Sequence, residues 1–300
     1  MCTIRSMDQM SGDIPATASQ PGAPEIWSEY VGTRWGQVNV RHAGRSGPAL
    51  MLFHESPLSS EVFSQSLPHL GRRLRVSAFD TPGYGASDPP PEPAGIAEYA
   101  ETLLEAIDQT HAGPFVALGS HTGASIALEV AMAAGPSRIV ALVLCGVPLL
   151  SSDERRLLEA KYAPPLSLQA DGGHLTWAWQ QYLESEGGLG PGPPLDLINL
   201  AAVHVASNHR RFAWGYRAAF AYDPEPALRR LECPVLLLNT PKDVLAHCDE
   251  PARRLVADGR IIHMNEVKNR AYWHLPELFS SHVTSFVEGA ADGAVARDSE

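Results

Sequence analysis

The sequence predicts an α/β fold built on a mostly parallel, doubly wound β-sheet. Short apolar runs bounded by turn residues, typical of strands buried on both faces, alternate with segments of helical periodicity. Near the middle of the chain a strand, a tight glycine turn and a helix follow one another directly. The alternation stops near residue 147 and resumes at residue 234, which indicates an inserted segment. Strands alternating with helices in this way favour a parallel sheet.

The first half of the chain predicts an opening hairpin and then two strand–helix units. Gly32 and Gly36 separate the two β-prone runs of the hairpin, and Ser59 or Ser60 is expected to cap the first helix. The predicted strands cover residues 25–31, 37–41, 49–53 and 76–79, and the predicted helices cover residues 59–72 and 96–111.

The second half predicts the rest of the sheet, interrupted by a helical cap. Residues 148–225 contain helical pieces, many aromatic side chains and a loose glycine- and proline-rich loop at 187–194. The predicted strands are 139–144, 235–238 and 261–264, and the predicted helices are 124–134, 252–257 and 276–288. We therefore expect a flexible lead at 1–24, a core at 25–147 and 226–289, a cap at 148–225 and a flexible tail at 290–300.

Composition limits the classes of function. The 300 residues are 44% hydrophobic and carry a net charge of −11, so a large core is expected and a nucleic-acid or anionic-membrane partner is not. Four cysteines without a CxxC pair favour a reducing, cytoplasmic location. Residues 1–24 lack the apolar run of a signal peptide, and the longest apolar run, 139–150, is too short to span a bilayer.

No motif in the sequence indicates a cofactor or a metal. Walker, HExxH and GxGxxG patterns are absent, and the twelve histidines are scattered without metal-ligand spacing. We therefore expect no cofactor, no metal and a small-molecule substrate as the partner. A monomer or a homodimer is expected.

The central turn has the pattern of a nucleophile elbow. The apolar run 114–118 leads into GSHTG at 119–123, and small helix-forming residues follow. The two glycines permit a sharp turn and close packing of helix on strand, so the residue between them is presented to a pocket. That residue is His121, where a serine enzyme would have serine.

Four motifs in order resemble those of the α/β-hydrolase superfamily, over roughly residues 25–288. They are HESP at 54–57, DTPGYGASD at 80–88, GSHTG at 119–123 and a proline-to-aspartate spacing at 234–243. The resemblance implies that fold, with a cap inserted after the sixth strand. It also implies a catalytic nucleophile, acid and histidine in that chain order.

The resemblance breaks at two of the three catalytic positions. The nucleophile position is His121, the acid position is Asp243, and the histidine position aligns with Asn269. Asn269 is expected to bridge His121 and Asp243 through its amide or to bind a substrate carbonyl. A misaligned loop would instead make His274 the base, and a one-residue slip would make Ser120 the nucleophile.

The resemblance also places an oxyanion hole formed by the N–H groups of Ser56 and Thr122. Glu55 replaces the family's usual glycine, either as a surface loop residue or as a carboxylate beside the pocket. Tyr272 is expected in the pocket wall, and His54 as a structural histidine.

These residues together predict an enzyme with a degenerate catalytic triad that acts on a small apolar carbonyl or ester compound. His121 would supply acid–base chemistry, since imidazole titrates near neutral pH, and no acyl-serine would form. Hydrolysis by an activated water is favoured by the family as a whole. A lyase, decarboxylase or cyclase reaction, or a non-catalytic ligand-binding role, remains an alternative.

Overall fold

A single eight-stranded sheet organises the protein. The computed structural model describes residues 24–186 and 194–297. The expected lead, apart from Pro24, the loop residues 187–193 and the last three residues lie outside the described residues. The strands, in chain order, are β1 Ile26–Thr33, β2 Gly36–Ala43, β3 Ala49–Phe53, β4 Arg75–Phe79, β5 Phe115–Ser120, β6 Ile139–Cys145, β7 Val235–Asn239 and β8 Gly259–His263.

The sheet has the order β1-β2-β4-β3-β5-β6-β7-β8. β1 and β2 form the predicted antiparallel hairpin, β2 is antiparallel to β4, and the remaining neighbours are parallel. Every residue of β3, β5 and β7 is buried, because helices cover both faces of the sheet. The predicted α/β-hydrolase fold is therefore confirmed, and the parallel strands deliver their carboxyl ends to one edge.

Helices complete the two outer layers. They are α1 Leu67–Leu70, α2 Ile96–Thr110, α3 Thr122–Ala134, α4 Ser152–Tyr162, α5 Gly173–Glu186, α6 Leu195–Ser207, α7 Phe212–Ala221, α8 Glu225–Arg230, α9 Asp249–Leu255, α10 Ala271–His274 and α11 Pro276–Arg297. α2 and α3 contribute to one apolar cluster, whereas α1 and α11 contribute to another. Within the described residues, no helix combines the length and the apolar character needed to cross a membrane.

Four helices, α4 to α7, lie in the segment predicted as the cap. They follow β6 and precede the return of the chain to the sheet at β7. α4 packs on α7, and α5 packs on α6. The division of the chain into a core and a cap at residues 148–225 stays a prediction.

Two predicted helices differ from the observed ones. Residues 59–72 form a 3-10 turn at Ser60–Phe63 and the separate helix α1, because Pro68 is tolerated only in the first turn of a helix. The predicted cap residue Ser59 does accept a hydrogen bond from the Glu61 N–H group. The last helix continues to Arg297 instead of ending at residue 288, because the alanines of this segment favour helix over coil.

Candidate active site

His121 occupies a strained turn between β5 and α3. Its φ and ψ are 49° and −108°, a conformation that is costly for a residue with a side chain. The His121 N–H group donates to the Cys145 carbonyl at 2.9 Å. The flanking glycines are required sterically: a Cβ at Gly119 would lie 2.0 Å from the Gly123 carbonyl oxygen, and one at Gly123 would lie 2.1 Å from that of Phe53. The GSHTG segment therefore adopts the elbow geometry, with His121 at its centre.

His121 and Asp243 are in direct contact. The imidazole Nε2 lies 2.9 Å from Oδ2 of Asp243, whose other oxygen accepts the Leu245 N–H at 2.8 Å. The Asp243 side chain is 5% exposed and that of His121 is 29% exposed. An ionised carboxylate only accepts hydrogen bonds, so Nε2 carries the proton. Nδ1 can accept a proton from a substrate or a water molecule, because it makes no hydrogen bond within the described residues.

The two groups shift each other's titration. Burial by itself disfavours the imidazolium, but the Asp243 carboxylate, its hydrogen bond and the nearby Glu55 outweigh burial and raise the pKa of His121. Burial would likewise raise the pKa of Asp243, but His121 outweighs it and the pKa of this carboxyl is lowered. A proton taken up by His121 is therefore stabilised by the site.

Glu55 places a second carboxylate in the site. The residue is 2% exposed, so the surface-loop alternative is wrong. Oε1 accepts hydrogen bonds from the Tyr272 hydroxyl at 2.5 Å and from Arg270 Nε at 2.8 Å. Oε2 is buried and has no hydrogen-bond partner in the described part of the chain. Burial raises the pKa of Glu55, but Arg270, His121 and Tyr272 together lower it, so this carboxylate is ionised with one oxygen unoccupied.

Arg270 links Glu55 to a wider ionic cluster that the motifs did not reveal. Its Nη1 is paired with Glu186 at the end of α5, and Glu186 also meets His274 Nε2 at 2.9 Å. Arg270 itself has a φ of 43°, a left-handed conformation. No pattern of spacing predicts this cluster, since its members come from the loop after β3, from α5, from the loop after β8 and from α10. The position of His274 against Glu186, rather than in the cavity with His121, gives no support to His274 as the base.

Asn269 lies in the same cavity but does not bridge the dyad. Its Nδ2 donates to the Ser185 carbonyl at 3.2 Å, whereas His121 reaches Asp243 without an intermediary. The bridging expectation is therefore wrong, because the imidazole side chain is long enough to span the gap. The Asn269 Oδ1 is buried without a partner in the described residues. Contact with a substrate is the expectation that remains for this amide.

A cavity of about 410 Å³ opens above these groups. Glu55, Ser56, His121, Thr122 and Asn269 all line it. Asp243 lines it too. The Thr122 N–H begins α3 and so has no partner within the helix, as an oxyanion donor requires.

Tyr272 and Ser120 lie one layer behind the main cavity. Both line a smaller adjoining cavity, and the Ser120 Oγ is 3.4 Å from the Tyr272 hydroxyl. Tyr272 thus supports Glu55 rather than forming the main wall, and the Ser120 hydroxyl does not occupy the elbow position. His54 is structural: its Nε2 accepts the Thr81 N–H at 2.9 Å, and its Nδ1 meets the Glu55 carbonyl at 2.9 Å. Residues 24–186 and 194–297 contain no group of three metal-ligating side chains placed to hold an ion.

Comparisons with known proteins bear on the family and the fold. Curated relatives match parts of the chain, among them the following two. The magnesium-chelatase 30 kDa subunit of Rhodobacter capsulatus is 31% identical over 97 residues, which are 32% of this chain and 34% of that protein. A pimeloyl-(acyl-carrier protein) methyl ester esterase of Methylococcus capsulatus is 34% identical over 110 residues, 36% of this chain and 41% of that one. The match therefore spans less than half the length of either relative.

A solved structure and a family model cover much more of the chain. The structure of a hydrolase from Pseudomonas aeruginosa superposes with a TM-score of 0.74 at 23% identity, over 87% of this chain and 98% of that one, which shows a shared fold. The model of the alpha/beta hydrolase family matches residues 46–283, a span that includes all four sequence motifs and both members of the dyad. The protein belongs to the alpha/beta hydrolase family.

Proposed function

We propose that this protein is an enzyme that acts on a small apolar carbonyl or ester compound by acid–base chemistry at His121, without an acyl-serine. The observation that carries this proposal is the direct hydrogen bond from the elbow imidazole to the buried Asp243 carboxylate. A strained backbone conformation that aims a titratable side chain into a cavity is typical of a functional site. A hydrogen-bonded imidazole and carboxylate are two of the three members of a catalytic triad.

In the hydrolytic reaction, Nδ1 of His121 removes a proton from a water molecule as the water oxygen attacks the carbonyl carbon. The carbonyl electron pair moves to its oxygen, where the N–H groups of Ser56 and Thr122 stabilise the charge. Each such donor contributes about 3 kcal/mol where it has been measured. The imidazolium, stabilised by Asp243, then returns the proton to the leaving alkoxide as the carbon–oxygen bond breaks. General acid–base catalysis of this kind contributes roughly 10²- to 10⁴-fold to rate.

Glu55 has a separate role in this proposal. Its unoccupied Oε2 accepts a hydrogen bond from the attacking water or from a substrate hydroxyl, while Oε1 stays bound to Arg270 and Tyr272. A buried acceptor without a partner is costly, so a ligand that supplies a donor gains binding energy. Asn269, whose Oδ1 is equally unpartnered, orients the other side of the substrate.

The absence of serine at the elbow favours a second candidate on the same residues. With Glu55 and His121 as two acceptors around one cavity, the site is equally suited to proton abstraction without water, as in a lyase, decarboxylase or cyclase reaction. Product analysis in ¹⁸O-labelled water separates the candidates. Hydrolysis incorporates one labelled oxygen into the acid product, whereas a non-hydrolytic reaction incorporates none.

The central test uses a panel of p-nitrophenyl and naphthyl esters, followed by wider screening of carbonyl compounds. For any compound turned over, His121→Ala is expected to lower kcat by at least roughly 10²-fold, and Asp243→Asn to lower it as well. Ser120→Ala is the matched control and should retain activity. A fluorophosphonate probe should leave the protein unlabelled. Turnover that survives both His121→Ala and Asp243→Asn contradicts the proposal and points to a ligand-binding protein.

A further inference from the structure

The lysines of this chain are concentrated at the cavity. Of 23 basic residues only three are lysine, Lys161, Lys242 and Lys268, and all three line the cavity that contains His121. They come from different parts of the fold: α4, the loop after β7 and the loop after β8. The chain as a whole carries a net charge of −11. All three lysines of the chain therefore lie around the candidate active site.

Most of the negative groups in the cavity lining are already engaged. Glu55 is paired with Arg270, and Asp243 is paired with His121. Glu184 is exposed, and its backbone carbonyl accepts a hydrogen bond from Lys268 Nζ at 3.2 Å. Among the described residues, no salt bridge joins Lys161 or Lys242 to a carboxylate. Lys161 Nζ lies 5.0 Å from the centroid of the Tyr162 ring. Both ammonium groups thus lack a carboxylate partner among the described residues and can take an anionic one.

The lysines and the dyad differ in their exposure to solvent. Lys161 and Lys242 are exposed, whereas Asp243 is buried and His121 is largely so. The rest of the lining includes the apolar and aromatic side chains of Leu158, Tyr162, Tyr216, Phe220, Val244 and Leu245, beside polar ones. The cavity therefore combines a buried reacting group, apolar surface and exposed ammonium groups.

Building on the proposed function, we propose that the substrate is an organic anion whose carboxylate binds Lys161 and Lys242 at the mouth of the cavity. Its hydrocarbon part contacts the apolar side chains of the lining and brings the reacting carbonyl to His121. Lysine is a compact, flexible point charge suited to an exposed anion. Lys268 adds a third positive charge from the loop after β8.

The test measures binding, not turnover, by titration calorimetry with octanoate, 1-octanol and inorganic phosphate. Octanoate is expected to bind more tightly than 1-octanol. Added salt should weaken the binding of octanoate and leave the binding of 1-octanol unchanged. Lys161→Met/Lys242→Met should weaken octanoate binding roughly three- to tenfold and leave 1-octanol unchanged. Arg156→Met/Arg230→Met is the matched control, since it removes two exposed positive charges outside the cavity lining and should leave octanoate affinity unchanged.

Three results overturn the inference. They are equal or weaker binding of octanoate relative to 1-octanol, an unchanged octanoate affinity in the double lysine variant, and phosphate binding as tight as that of octanoate. The last would indicate a small-anion site. None of these results bears on His121. Conversely, if the octanoate preference holds but His121→Ala leaves turnover intact, only the proposed function fails.

Discussion

At the scale of single residues, His121 stands at the elbow, where a serine enzyme has its nucleophile, and in the proposed reaction it acts as the base. In an ordinary triad the acid orients a separate histidine, which in turn activates the nucleophile. Here the imidazole stands at the elbow and contacts Asp243 through Nε2 directly, so Asn269 is released to bond the Ser185 carbonyl. The imidazole of His121 is long enough to reach the Asp243 carboxylate without a side chain between them.

The raised pKa of His121 predicts the pH dependence of activity. A general base acts in its neutral form, so activity should rise with pH through the His121 pKa, and this acidic limb should lie above the ordinary value of 6.5. Asp243→Asn removes the main stabiliser of the imidazolium, so the limb should move to lower pH. The kcat/KM–pH profile measures both. A limb that stays in place in Asp243→Asn contradicts the assignment.

Glu55 is expected to act on the same titration from a second side. Because its carboxylate also raises the pKa of His121, Glu55→Gln should lower that pKa, which NMR of the imidazole protons can measure directly. Glu129→Gln, which removes a carboxylate bonded to the Tyr222 hydroxyl instead, is the control and should leave the His121 titration unchanged. An unaltered His121 pKa in Glu55→Gln would contradict the proposed proximity of the two charges.

At the scale of elements, the site is a product of the parallel strands that end at one edge of the sheet. β3 leads to Glu55, β5 to His121, β7 to Asp243 and β8 to Asn269. Between β5 and β7, β6 ends at Cys145 and is followed by Gly146, whose φ of 72° turns the chain away. A Cβ at Gly146 would lie 2.7 Å from Cδ2 of His121 and 3.4 Å from Asp243 Oδ1. This glycine therefore provides the space in which the dyad forms.

Gly146→Ala should disturb the dyad as well as the backbone. The left-handed conformation alone costs an alanine about 1 to 2 kcal/mol of unfolding free energy, and the clash adds displacement of the His121 ring. Gly135→Ala is a matched control, since its φ is 78° and no atom lies within 4 Å of its added Cβ. Urea unfolding should show a loss in both variants, while turnover falls only in Gly146→Ala. Equal activity in the two variants would mean that Gly146 does not shape the site.

At the scale of the whole molecule, the Arg270 cluster joins the helices inserted after β6 to the loops of the sheet. Arg270 comes from the loop after β8, Glu55 from the loop after β3 and Glu186 from the end of α5. All three side chains are buried, so the charges are stable only together. The pKa values of Glu55 and Glu186 are both lowered, because Arg270 and neighbouring hydrogen bonds outweigh the effect of burial. The cluster thus connects α5 to the loops that carry Glu55 and Arg270.

Arg270→Met should destabilise the protein by about 3 to 5 kcal/mol at neutral pH, since it leaves two buried carboxylates uncompensated. The carboxylate pKa values are depressed in the folded protein, so the stabilisation is present above the ordinary value of 4.5 and is lost as pH falls through the lowered values. The difference in unfolding free energy between wild type and variant, measured by urea unfolding, should therefore become smaller toward acid pH. Arg217→Met, which breaks a half-exposed pair with Glu159, should cost less than about 1 kcal/mol.

Local patterns were sufficient for the sheet, the elbow and the identity of the elbow residue. The periodicity and composition of apolar residues indicate whether a segment is buried on both faces. The spacing of two glycines indicates a turn that only glycine permits. The same patterns were insufficient for residues 59–72, where a single proline divided the helix, and for the end of α11, where alanine outweighed surface polarity. The scarcity of lysine was visible in the composition, but its meaning required the positions of the three side chains.

The sequence alone was enough to establish the α/β-hydrolase fold and to place histidine where the family has a nucleophile, because both are properties of neighbouring residues. Only the folded chain shows that His121 meets Asp243 directly, that Glu55 is buried beside them, and that Arg270 holds that carboxylate. The contact between His121 and Asp243 joins residues that are 122 positions apart in the sequence, and the contact between Glu55 and Arg270 joins residues that are 215 positions apart. No local spacing encodes them, since they depend on how strands far apart in sequence come to lie side by side in the sheet.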